Sequence, residues 1–85
     1  MNTPTVTIEL SVPGWGVTKI EELRGDTEWV GRHRITTGGP STYRGYWDVG
    51  QCGRITTTGY RPGYTGFQTC QNVFVVTEYD GAVER

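Results

Sequence analysis

Leucine and alanine, the common builders of helices, are almost missing, at two and one residues among 85. A helical bundle needs many of both, so that shortage points away from helix. Basic excess is missing too. With eight Lys plus Arg against nine Asp plus Glu, the net charge of −1 argues against a nucleic-acid protein held by phosphate contacts. No run of 18 apolar residues occurs, so no helix is expected to span a membrane. Met1-Asn2-Thr3-Pro4-Thr5 lacks the basic segment and apolar run of a signal peptide. The expectation is a protein that works where it is made, or a start Met placed before a mature secreted domain.

The single histidine, His33, limits chemistry further. A metal site would need His33, Cys52, Cys70 and an acid to converge, and the cysteines lack the two-residue spacing of zinc knuckles. A nucleophilic set would need Cys52 or Ser41 with His33 and Asp48, and none of these sits in a recognisable motif. Gly38-Gly39 leads into Pro40 and not into a helix, so no phosphate-cradling loop is present. No enzyme, metal or cofactor is expected.

Cys52 and Cys70 are the only cysteines. An even count in a short, glycine-rich chain predicts a disulfide, which would be worth roughly 3 kcal/mol for a loop of this size. Two free thiols are the alternative, because cytosolic cysteines stay reduced. A bridge would place the protein in a secreted or virion setting, and the compartment is otherwise open.

What the chain does have is threonine (14), glycine (13) and valine (9), a composition that suits pleated strands joined by glycine turns. Thr5 to Val12 alternates strictly, with Val6, Ile8, Leu10 and Val12 on one face. Pro13-Gly14-Trp15-Gly16 ends it, the glycines supplying backbone angles that hold the indole on a tight turn. Val17, Ile20 and Leu23 recur at a spacing of three, and Thr18 with Glu21 fits a capping box, so this segment reads as one helical turn or a twisted edge strand. Arg24-Gly25-Asp26-Thr27 is a turn.

The remainder is organised by a repeat. Arg34-Ile35-Thr36-Thr37-Gly38-Gly39 is followed by Tyr43-Arg44-Gly45-Tyr46, and Arg54-Ile55-Thr56-Thr57-Thr58-Gly59 by Tyr64-Thr65-Gly66-Phe67. Each copy reads as a hairpin. The first joins strands over Glu28–Thr37 and Thr42–Val49 through Gly38-Gly39-Pro40-Ser41. In the second, Gly50-Gln51-Cys52-Gly53 turns the chain into a strand over Arg54–Tyr60, which Arg61-Pro62-Gly63 connects to Tyr64–Tyr79. That last segment breaks at Gln71-Asn72, ahead of the apolar run Val73-Phe74-Val75-Val76, which reads as a central strand or one buried on both faces. Asp80-Gly81 closes it, and Ala82 to Arg85 reads as a frayed tail. The expected fold is a single domain over 1–85, all-β, a small antiparallel barrel or sandwich of five to six strands containing a duplicated hairpin (about 29–47 and 47–67).

Trp29, Trp47, Phe67 and Phe74 are the expected core of a chain that lacks leucine. Trp15, Tyr60 and Tyr64 sit where glycine and proline place a ring on a turn, and Tyr, Trp and Arg are the residues most enriched at interface hot spots. Arg32 and Arg34 form the densest basic cluster, for which cross-strand pairing with Glu21, Glu22, Asp26 and Glu28 is the plainer reading. The candidate binding residues are therefore Trp15, Arg32, Arg34, Tyr60, Arg61 and Tyr64. The expected function is a non-catalytic module that binds a protein, as a phage or bacterial accessory, inhibitory or virion component. The alternatives are a carbohydrate-binding module using the same rings, or a self-assembling homo-oligomer joined through strand edges. Neither nucleic acid nor membrane is an expected partner. In size, single cysteine pair and aromatic turns the chain resembles small secreted bacterial inhibitors such as the actinobacterial α-amylase inhibitors. It lacks their second disulfide and their Trp-Arg-Tyr turn, so their activity is not carried over.

Overall fold

Strict alternation in Thr5–Val12 does what a period of two requires: Ile8, Leu10 and Val12 are buried and Thr7, Glu9 and Ser11 face solvent. The computed structural model describes residues 4–36, 41–78 and 81–84, with the backbone alone for 32–36 and 81–84. Its seven strands are β1 (Thr5–Val12), β2 (Gly16–Arg24), β3 (Glu28–Thr36), β4 (Ser41–Asp48), β5 (Cys52–Tyr60), β6 (Phe67–Thr77) and β7 (Gly81–Glu84). All pairings are antiparallel. One sheet is β1-β4, the other β3-β2-β5-β6-β7, and the two do not close into a barrel.

A single core lies between the sheets. Ile8, Leu10 and Val12 of β1 and Tyr43 and Trp47 of β4 meet Ile20, Ile55, Phe74 and Val76 of the larger sheet. Trp47 and Phe74 bridge the layers, with ring centroids 5.5 Å apart. Burying one such side chain is worth about 1.5–3 kcal/mol, so these two rings are a large share of a small core. Inside it, Thr18 and Thr57 share a hydroxyl–hydroxyl bond of 2.9 Å across β2 and β5.

All-β antiparallel architecture is as expected, but the two repeat copies are used differently. β5 and β6 pair as a hairpin. The strands of the first copy lie in different sheets, β3 beside β2 and β4 beside β1. Register gives the reason: β4 offers Gly45 opposite Ile8 and Tyr43 opposite Leu10, a small-against-large match to the apolar stripe of β1. Of the expected turns, Gly38-Gly39-Pro40 and Asp80 lie outside the described residues, whereas Ser41 opens β4 and Gly81 opens β7.

Other expectations change. β2 is neither helical nor an edge, since it runs between β3 and β5. A spacing of three on a strand alternates faces, so Ile20 points to the core while Val17 and Leu23 lie half-buried on the outer face. A bulge places His33 and Gly31 opposite the consecutive Ile20 and Glu21, leaving Arg32 as the extra residue of β3. Thr18 and Glu21 cap nothing, because Thr18 bonds Thr57 and Glu21 bonds Arg54. β6 runs unbroken through Gln71-Asn72, an inner strand with one face toward the core, so that Val73 is exposed. Cys52 and Gly53 are not a turn but the start of β5, and Ala82 to Glu84 of the tail expected to fray pair within β7 against β6.

Candidate functional site

Along the β5–β6 hairpin the last hydrophobic core residues toward the turn are Ile55 and Phe74, with the buried Thr57 beyond Ile55. Nearer the turn, the inner positions of β6 are the half-buried, polar Gln68, Cys70 and Asn72. This end of the hairpin gathers four aromatic residues that the core does not use, Trp15, Tyr60, Tyr64 and Phe67.

Arg61-Pro62-Gly63-Tyr64 closes the end of β5 as a type II turn. The Tyr64 amide donates to the Arg61 carbonyl at 3.0 Å, and Gly63 holds φ at 82°. That turn brings three predicted residues together. The Arg61 guanidinium lies 4.5 Å from the Tyr64 ring centre and 6.0 Å from that of Trp15. Its Nη1 donates to Cys70 Sγ at 3.5 Å. Trp15 reaches it because the Pro13–Trp15 loop crosses Gly59, where a Cβ would stand 2.9 Å from the Trp15 carbonyl oxygen. Neither Gly14 nor Gly16 has positive φ. What Gly16 supplies is close approach, since a Cβ there would lie 2.8 Å from the Thr58 carbonyl carbon.

Tyr60 points to the outer face and meets a residue that the sequence reading placed in the core. Phe67 is its cross-strand partner, the ring centroids 5.4 Å apart and the planes at 86°. Both rings are largely exposed, Tyr60 at 72% and Phe67 at 64%. Phe67 faces outward because Phe74 and Val76 face inward, and an odd offset along one strand changes face. Next to Phe67 on this face is an open groove of about 290 Å³, lined by Val17, Lys19, Thr56, Thr58 and Phe67. Val17 pairs with Thr58 and Lys19 with Thr56 across β2 and β5, and Phe67 sits diagonally on β6. Further along the outer face, Arg54 holds the buried Glu21 through Nε and Nη2 at 3.0 and 2.7 Å, and stacks 4.5 Å from the Trp29 ring centre. Trp29 is thus half-buried on the outer face and no part of the core.

Other predicted residues do not assemble. Arg32 and Arg34 belong to β3, with Arg34 in register with Lys19. Their side chains, with that of His33, lie outside the described residues, and so does the proposed pairing of Arg32 and Arg34 with the acids. Ser41 and Asp48 occupy opposite ends of β4, and Asp48 accepts a bond from the Thr5 hydroxyl at 3.0 Å. Among the described residues no three His, Cys, Asp or Glu side chains converge as metal ligands would.

The disulfide is contradicted. Cys52 pairs with Val75 and Cys70 with Thr57, and both thiols are free. Five residues of strand, roughly 17 Å, separate the two levels, against a Cα separation of about 7 Å at most for a bridge. The thiols also sit on opposite faces, Cys52 on the outer and Cys70 on the inner.

Compared with protein-family models, with curated proteins and with solved structures, the chain finds no match in any of the three.

Proposed function

We propose that the protein is a non-catalytic binding module for a protein surface, and that the turn end of the β5–β6 hairpin is its contact region. The observation that carries this reading is the Tyr60–Phe67 pair, two adjacent rings left in solvent by a chain with little apolar material to spare. Adjacent exposed rings on a small domain mark a surface that is covered in use. Trp15, Arg61 and Tyr64 on the other face of the same hairpin end add the residue types that dominate hot spots. The edge-to-face arrangement favours a protein over a sugar, because it occupies one ring face instead of presenting a flat platform.

The test is affinity capture from the source cells with the wild type and with a Tyr60→Ala/Phe67→Ala variant shown to be folded by circular dichroism. Proteins retained by the wild type and lost by the variant support the reading. Retention of the same proteins by both, or glycan-array binding that the variant loses, overturns it.

A further inference from the structure

We infer that the outer-face groove takes one apolar side chain of the partner together with a neighbouring carboxylate; this rests on the protein-binding reading above. The groove's composition is the first ground. Val17, Thr56, Thr58 and Phe67 line a mainly apolar slot, and its volume of about 290 Å³ is at the small end of ligand sites, which begin near 300 Å³. That size suits one side chain and not an extended small molecule.

Charge is the second ground. Among the described residues Lys19 is the one charged residue lining the slot, and its side chain is 52% exposed. Its described ionic partner is Glu21, at 3.5 Å, but Glu21 is already held by two shorter bonds from Arg54. Lys19, Arg54 and Glu21 together carry two positive charges and one negative, a net +1 beside the slot. An incoming carboxylate balances that excess and gives the ammonium a second acceptor.

The experiment is a ¹H–¹⁵N NMR titration of the whole chain with 3-phenylpropionate and, separately, with the neutral 3-phenylpropanamide. The expected result is shifts centred on Val17, Lys19, Thr56, Thr58 and Phe67, with the acid bound about fivefold more tightly than the amide. Lys19→Met should bring the acid down to the affinity of the amide, and Phe67→Ala should weaken both alike. Spectral dispersion shows that each variant is folded. Equal affinity of the wild type for acid and amide, or shifts centred elsewhere, overturns the inference. The titration needs no partner, so a failure here with capture still dependent on Tyr60 and Phe67 removes the groove's role and leaves the binding module standing.

Discussion

The ring of Phe74 lies against Gly53 of the neighbouring strand so closely that a Cβ on Gly53 would stand 2.9 Å from the ring's Cε1. Phe74 is fully buried and also meets Trp47 of the other sheet, so it has no room to retreat. Gly53→Ala should therefore destabilise the fold by about 1–3 kcal/mol, the usual cost of overpacking. Urea denaturation followed by tryptophan fluorescence reads this directly, and an unchanged midpoint would mean that the ring is not seated there.

The Thr18–Thr57 bond gives a second expectation. Thr57→Val should cost about 1–3 kcal/mol because it strands a buried hydroxyl on Thr18. Thr18→Val/Thr57→Val should recover much of that loss, since neither hydroxyl then remains. The signature in a double-mutant cycle is non-additivity, and additive losses would contradict a direct bond.

Because Cys52 and Cys70 are separated along the hairpin and face opposite ways, reduction should leave the melting temperature unchanged. Mass spectrometry after non-reducing alkylation should find two alkylated thiols per chain. A mass two hydrogens lighter with no alkylation would show an intramolecular bridge.

Much of the fold was legible where one physical rule acted alone. The alternation of Thr5–Val12 gave β1 its boundaries and its buried face, and Pro62-Gly63 gave the turn that gathers Arg61 and Tyr64. The errors arose where two rules give the same residue pattern. Gly53 read as a turn glycine because close packing against a ring and positive φ both select glycine. Val17, Ile20 and Leu23 imitated a helix because β2 is partly covered on both faces. Sequence similarity of the two repeat copies is local, whereas pairing depends on which neighbour offers a complementary stripe, and β1 takes β4 on that basis. Of the site, Trp15, Arg61 and Tyr64 were readable from their turns. Phe67 was missed because an assumed break at Gln71-Asn72 interrupted the parity count from Phe74, which unbroken would have turned Phe67 outward.

The binding role of the hairpin end is best tested by the affinity of the captured partner for two variants with equivalent exposed-surface changes. Tyr60→Ala/Phe67→Ala removes the paired rings, whereas Arg44→Ala/Tyr46→Ala removes a tyrosine as exposed as Tyr60 and a surface ion pair to Glu9 on the other sheet. Measured by biolayer interferometry, the first should lose about 100-fold or more, as truncation of two hot-spot residues at roughly 2 kcal/mol each implies, and the second less than about threefold. Equal affinities for the two variants would contradict the assignment of this end of the hairpin as the recognition surface.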